Sequence, residues 1–359
     1  MIKKIKNIFS IINSLLCYKL KITKLPYQPL ALWIEPTNKC NLKCLMCPNS
    51  IISQDKLGFM DFKLYKKIIN ESKSYLSYVI LCISGESLLH PQLTKMIKYA
   101  KDNDIKTYLS TNATVLTKKL SEHIIKSGLD WINFSFDGCT KETYEKIRIN
   151  GKFEPTLTNV TDFLKIKKRL NSPIVAELQI LLLDKQGIAD YEQNIDQFKK
   201  VFTNLPLESI QIRKPSTWGN VFSGTKKFTP KKLSQTFSPC SYLWGSLGIL
   251  WDGRVIACCS DFFGQNVFGN IQTETLKSIW NNQKIISFRK AMINKKYLKY
   301  NSSCRNCDSL WEKKIIGMPA GLRGVIATTI CNILGKNYFK LLKKTAKHLN
   351  KDFAMEIIN

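Results

Sequence analysis

Three thiols fall within eight residues in Glu35-Pro-Thr-Asn-Lys-Cys40-Asn-Leu-Lys-Cys44-Leu-Met-Cys47-Pro48. Three thiolates can hold three corners of a cubane iron-sulfur cluster and leave the fourth iron open, as catalytic metal sites keep one position free for a reacting ligand. A structural zinc ion would want a fourth ligand, and no His or Cys follows Cys47 within reach along the local chain. A second set is more dispersed: Cys240, then Cys258 and Cys259, then Cys304-Arg-Asn-Cys307. Four thiolates from a loop, a hairpin and a Cys-x2-Cys knuckle would close a zinc site or fully ligate a second cluster, and spacing alone does not choose. Cys17, Cys82, Cys139 and Cys331 have no partner spacing and read as ordinary thiols.

Such residues need elements to hold them. Apolar runs of strand length occur at Leu30 to Glu35, Tyr78 to Ile83, Lys106 to Ser110, Trp131 to Phe136, Ile174 to Leu183 and Ser209 to Ile212. Helical patterns fill the intervals near 61–75, 91–103, 115–127, 140–147 with 154–169, and 188–201. The alternation predicts an α/β fold of parallel strands and crossover helices. An open doubly wound sheet and a full or partial β/α barrel both satisfy it. Either one places chemistry at the carboxyl ends of the strands. There the chain carries the first cysteine loop, Ser84-Gly85-Glu86, Thr111-Asn112-Ala113 and Ser135-Phe136-Asp137-Gly138, with Tyr144 to Arg148 close behind. Beyond about residue 225 the alternation gives way to short pieces rich in Gly and Pro, which predicts a second domain.

Cys-x3-Cys-x2-Cys after the first strand resembles the radical S-adenosylmethionine (SAM) superfamily, and the likeness runs from about Leu30 to about Trp218. It implies a partial (β/α)6 TIM-like barrel with a small C-terminal cysteine-rich auxiliary domain. It also implies that Cys40, Cys44 and Cys47 bind a 4Fe-4S cluster whose open iron is chelated by SAM. Reductive cleavage then gives a 5′-deoxyadenosyl radical that abstracts a hydrogen atom, the cofactor carrying the difficult chemistry. Ser84-Gly85-Glu86 is similar to the family's Gly-Gly-Glu: Glu86 would take the methionine amino group, and Gly85 would let the backbone come close to the ligand. Asn112 stands in the Thr-Asn-Gly turn, with Ala113 where Gly is common. Ser135 would bind the methionyl carboxylate or ribose, Arg148 the carboxylate, and Met46 the adenine. No catalytic acid or base is identified.

From Cys240 through Trp251-Asp252-Gly253, Cys258-Cys259-Ser260-Asp261, Gly269-Asn270-Ile271 and Ile279-Trp280 the chain resembles the SPASM family in its shortened twitch form. This implies one auxiliary 4Fe-4S cluster on Cys240, Cys258, Cys304 and Cys307, Cys258 matching the Gly-x4-Cys spacing and Cys259 being its unassigned neighbour. The domains implied are a basic amphipathic segment at 1–28, the radical SAM core at 29–225, the SPASM/twitch-like domain at 226–315 and a basic amphipathic segment at 316–359.

Composition bounds the rest. With 359 residues, 44% of them hydrophobic and 23% charged, wholesale disorder and a single small module are excluded. The 55 Lys+Arg against 27 Asp+Glu give +28, a field that favours anionic partners. No recognisable nucleic-acid fold motif accompanies it, so no specific nucleic-acid partner is expected. No run is long and apolar enough to span a bilayer, no cleavable signal follows the start, and the cysteine spacings fit a reducing compartment, so a cytoplasmic protein is expected. Ile2, Ile5, Phe9, Ile12 and Leu16 recur at helical steps among Lys3, Lys4 and Lys6. This stripe is expected to pack on the core; alternatively, the two basic amphipathic ends bring the enzyme to an acidic membrane surface, as suits a lipid-linked or envelope precursor.

The shortened auxiliary domain implies dehydrogenation of a small molecule such as a sugar, amino sugar or polyol, with flavodoxin or ferredoxin as reductant. A maturase of a ribosomally made peptide is the alternative, and a zinc-bearing nucleic-acid-binding protein the distant one. Arg213, Lys214, Trp218 and Asp261 lie at plausible strand ends or cluster loops; a structural or solvating role is the first reading for each, and substrate contact the alternative.

Overall fold

Every strand expected between residues 29 and 213 is present in the computed structural model, which describes residues 2–213, 236–300, 304, 305, 307–311 and 318–334, with the backbone of 354–356. Lys214, Trp218 and the change of texture near residue 225 lie outside the described residues. Helix α1 (Ile2–Lys19) precedes β1 (Ala31–Ile34), α2 (Phe62–Ser72), β2 (Tyr78–Leu81), α3 (Leu93–Asp102), β3 (Lys106–Thr111) and α4 (Lys118–Lys126). The alternation continues with β4 (Trp131–Ser135), α5 (Lys141–Ile147), α6 (Phe153–Arg169), β5 (Val175–Leu181), α7 (Lys185–Lys200) and β6 (Ser209–Arg213). Then come α8 (Tyr242–Gly245), β7 (Ser246–Ile249), β8 (Arg254–Ile256), β9 (Val267–Asn270), α9 (Leu276–Trp280), α10 (Gln283–Ile293), α11 (Ala320–Leu334) and β10 (Ala354–Glu356).

Among the described residues these strands form one sheet in the order β10-β6-β5-β4-β3-β2-β1-β7-β8-β9. Strands β1 to β6 lie parallel in chain order. A doubly wound sheet would reverse direction at β1, so the partial barrel is the alternative that forms. β7 joins the free edge of β1 in parallel, Ala31 opposite Ser246, and carries β8 and β9 antiparallel. The cysteine-rich region thus continues the barrel sheet. At the other edge β10 pairs antiparallel with β6, a strand the sequence pattern did not suggest.

Faces of the strands follow from β4. Phe134 packs edge-on against Phe163 of α6, 5.4 Å between ring centroids, so Asn133 and Ser135 point the other way, into the barrel. Register carries that face to Glu177 and Gln179 on β5 and on to Ser209 and Gln211 on β6. Helix α11 lies against the amino-terminal end: the Tyr108 hydroxyl at the start of β3 donates to Asn332 Oδ1 at 3.0 Å.

One expectation fails here. The α1 stripe of Ile5, Phe9, Ile12 and Leu16 is exposed, and the buried face holds Asn7, Ser10, Ile11, Ser14, Cys17 and Tyr18. Amphipathicity gives the spacing of the faces but does not say which one the neighbours accept. Here α8 and α11 take the face with the small residues, and the Tyr18 hydroxyl fixes the choice by donating to Pro239 O at 2.8 Å.

Candidate active site

β1 ends at Ile34 and delivers the first cysteine loop to the carboxyl end of the barrel. Asn38 ties the loop down: its amide donates to Lys56 O and its carbonyl accepts from Gly58 N, both at 2.8 Å. On the other side Lys43 N donates to Ile149 O and Leu45 N to Ile147 O, each at 3.0 Å, which brings Arg148 alongside. Cys40, Cys44 and Cys47 share one small apolar cluster with Leu42, Met46, Ile147, Leu181 and Leu183. Burial pushes the Cys40 thiol up to about 11 and the Cys47 thiol up to about 12, and neighbouring Cys44 adds to both. Neither ionises unaided near neutral pH, so their thiolates need the positive charge of bound metal.

The motifs on β2, β3 and β4 converge on this loop. At Gly85 a Cβ would stand 2.3 Å from Thr37 O and 2.6 Å from Lys39 O. The close approach that demands glycine is therefore to the cysteine loop's own backbone, where the sequence reading had placed the ligand. Glu86 N donates to Lys39 O at 2.8 Å. The buried Glu86 carboxylate accepts from Leu88 N at 3.0 Å, Thr111 Oγ1 at 2.8 Å and Asn112 N at 2.7 Å. The Asn112 amide lies near Cys40 Sγ, 4.0 Å away, and donates to Asn41 Oδ1 at 3.1 Å. Ala113 takes a φ of 60°, a left-handed conformation in which glycine would be easier.

Ser84 has a local reason to depart from glycine: its hydroxyl donates to the buried Glu35 at 2.5 Å. Ser135 faces Ser110 at 3.2 Å in the barrel. Arg148 is buried, ion-paired with Asp137 and close enough to Cys44 to lower its thiol against the burial that raises it. Its Nε is buried without a hydrogen-bond partner among the described residues. A buried guanidinium donor left unused beside three thiols suits an anionic ligand or cluster at this spot.

The second set surrounds a cavity of about 30 Å³ lined by Cys240, Cys258, Cys304 and Cys307 together with Leu243, Ala257, Phe288, Met292 and Leu310. Its lining of four thiols suits a compact inorganic group held by thiolates. Burial pushes Cys304 up to about 12, and the other thiols of the set raise Cys240 further. Among the described residues no three His, Cys, Asp or Glu side chains converge on a single-ion site. Asp261 also lines the cavity, and its carboxylate accepts from Gln265 N at 2.8 Å and Asn266 N at 2.9 Å, which closes the loop and agrees with the structural role read first from the sequence.

Residues 34–197 match the family model for the radical SAM superfamily, and residues 240–308 match SPASM, an iron-sulfur cluster-binding domain. The chain carries a radical SAM domain followed by a SPASM domain. It is 24% identical over 319 residues to the tungsten-containing aldehyde ferredoxin oxidoreductase cofactor-modifying protein of Pyrococcus furiosus, covering 77% of this chain and 86% of that one. It is 23% identical over 297 residues to the Fe-coproporphyrin III synthase of Methanosarcina barkeri, covering 70% and 73%. Among solved structures, BtrN in complex with AdoMet and 2-DOIA superposes with a TM-score of 0.54 at 20% identity, over 79% of this chain and 96% of that one. SuiB of Streptococcus suis bound to S-adenosylmethionine gives 0.56 at 13% identity, over 73% and 68%. At these identities the structures establish the fold. The radical SAM and SPASM domains imply 4Fe-4S clusters and S-adenosylmethionine as cofactors.

Several residues of this radical SAM barrel escaped the sequence reading. Glu177 accepts from Ser209 Oγ and from Gln211 Nε2, both at 2.6 Å. Gln211 in turn accepts from Arg213 Nη2 at 2.6 Å, so the expected candidate Arg213 is aimed by its neighbours. Asn133 Oδ1 is buried on the same inner face without a hydrogen-bond partner among the described residues. The available signal was polar residues at alternate positions inside apolar strands. Cys82, read as an ordinary thiol, follows β2 directly; burial raises its thiol, and nearby Glu86, Glu35, Cys47 and Cys40 add to the rise. No helix among the described residues is long and apolar enough to cross a membrane.

Proposed function

We propose that this radical SAM enzyme dehydrogenates a small polar molecule such as a sugar, amino sugar or polyol. The observation that carries the reading is the pairing of a three-thiol loop beside polar donors with a four-thiol, apolar-walled cavity. Cys40, Cys44 and Cys47 would hold the cluster that binds S-adenosylmethionine, and Cys240, Cys258, Cys304 and Cys307 the auxiliary one. Cys258 is preferred to Cys259 because it lines the cavity. When bound, the first group supplies hydrogen-atom abstraction and the second accepts one electron, so that with loss of one proton the substrate gives up two hydrogens in all.

The chain's own residues bind, orient and exclude water. Glu86, Asn112, Ser135 and Arg148 would hold the polar ends of S-adenosylmethionine, Met46 would pack on its adenine, and Gly85 keeps the cysteine loop in place. Asn133, Glu177, Gln211 and Arg213 line the inner face of the barrel with fixed donors and acceptors, which suits a hydroxyl-bearing substrate better than an apolar one. Flavodoxin or ferredoxin would serve as reductant. The names of the similar proteins span porphyrin, nucleotide and peptide chemistry, so the substrate class rests on this inner face.

The test is anaerobic reconstitution with iron and sulfide, then S-adenosylmethionine, reductant and a panel of carbon-deuterated polyols, aminopolyols and short peptides. Deuterium appearing in 5′-deoxyadenosine together with a carbonyl product from a polyol or aminopolyol is expected. Transfer from peptides alone would overturn the substrate class while keeping the radical SAM chemistry.

A further inference from the structure

Helix α1 is turned the wrong way round for one that serves only its own core. Asn7, Ser10 and Ser14 face inward and are buried, whereas Ile5, Ile8, Phe9, Ile12, Leu16 and Leu20 are 48% to 67% exposed. With 3.6 residues per turn, positions 5, 8, 9, 12 and 16 fall within one arc of about 100°. Lys4 and Lys6 flank that arc on either side, and Lys19, Lys21 and Lys24 continue beyond it. Residues 1–34 contain six lysines and no Asp or Glu.

A contiguous apolar stripe on a soluble surface marks a contact. We propose that α1 docks the protein on an anionic lipid bilayer, its apolar arc lying in the headgroup and acyl boundary and its lysines among the phosphates. Charge selects this occupant: pairing two copies of the face would oppose lysine to lysine, whereas an anionic bilayer neutralises them. Location gives the docking a consequence. Lys3 Nζ donates to Asp104 O at 2.6 Å, in the turn before β3, and α1 packs on α11, which lies against the amino-terminal end of the barrel. The cysteine loop is at the opposite end. A docked molecule therefore turns its active site away from the bilayer and draws substrate from solution, in contrast to the lipid-linked precursor considered from sequence.

The experiment is flotation of the reconstituted full chain with phosphatidylcholine vesicles, with and without phosphatidylglycerol, at low and high salt. Binding to the phosphatidylglycerol vesicles that weakens with salt is expected. The exposed-face variant I5S/F9S/I12S should lower partitioning about tenfold or more. The variant K4Q/K6Q/K19Q should lower it about a hundredfold on anionic vesicles. Both should keep the wild-type iron content and melting temperature, since none of these side chains is buried. Absence of wild-type binding to anionic vesicles at low salt would overturn the proposal, as would binding unchanged in both variants. A dimer in solution that I5S/F9S/I12S dissociates, without vesicle binding, would assign the face to a second copy and overturn it too.

Discussion

The two cysteine sets differ in what surrounds the sulfur. Around Cys40, Cys44 and Cys47 stand Arg148 with an unused donor, Asn112 close to Cys40, and the Glu86 carboxylate. Around Cys240, Cys258, Cys304 and Cys307 the wall is mostly apolar, Leu243, Ala257, Phe288, Met292 and Leu310, together with Asp261 and Asn266. Three thiols leave a coordination position, and polar neighbours give an incoming ligand something to hold. Four thiols leave none, and an apolar wall suits a group that only exchanges electrons. One barrel sheet carries both, because β7 pairs directly with β1.

The largest test of that contrast removes one side of it. In a C40A/C44A/C47A variant, reconstituted iron should fall from about eight to about four per chain, and 5′-deoxyadenosine formation should drop to background. Iron and sulfide analysis with electron paramagnetic resonance reads both. Loss of all the iron would mean that the two sites are one cooperative unit.

The next test separates neighbours. Cys258→Ala should lose about four irons and the oxidised product while S-adenosylmethionine cleavage continues, whereas Cys259→Ala should keep both clusters. The reverse pattern would move the ligand to Cys259 and require the hairpin to turn, since Cys258 is the one lining the cavity.

How much of this was legible in the sequence follows from how local each signal is. Cys-x3-Cys-x2-Cys declares a shared site because its ligands come from one short loop, and the strand and helix alternation points to a parallel α/β fold for the same reason, whereas the choice of barrel over doubly wound sheet needs the family resemblance or the observed strand order. The inner face did not show, because Glu177, Gln211 and Arg213 gain meaning only when β5 and β6 align in register. Cys82 has no neighbour in sequence and two sets of neighbours in space. The face of α1 could not be read at all, since its partners α8 and α11 lie more than two hundred residues away along the chain.

A third test asks whether the first site depends on backbone fit. Gly85→Ala puts a methyl group against the carbonyls of Thr37 and Lys39, neither of which can swing aside like a side chain. The expected result is a loss of more than about 3 kcal/mol and a poorly occupied first cluster, with auxiliary iron retained. Thermal melts of the apo chain and iron counts read the two parts. Wild-type stability with full iron would show that the loop has slack.

The smallest effect concerns the seam between the two sites. Glu35 is buried where β1 ends, accepting from Ser84 Oγ at 2.5 Å on the first-site side and from Trp251 N at 3.2 Å on the auxiliary side. Burial, partly offset by those hydrogen bonds, raises its carboxyl from the ordinary 4.5 to about 7. A carboxyl raised in the folded state binds its proton more tightly there than in the unfolded chain. Its stabilising contribution is then complete below about pH 4.5 and is lost as pH rises through 7, up to about 3 kcal/mol in all. The wild-type apo chain should therefore lose stability between pH 5 and 8 that Glu35→Gln does not lose. Ser84→Gly, which removes a donor to the ionised form, should extend that loss to higher pH and enlarge its total. Equal slopes in wild type and Glu35→Gln, measured by urea denaturation across that range, would mean that Glu35 is solvated as the sites open, and that the seam between them is wetter than its hydrogen bonds imply.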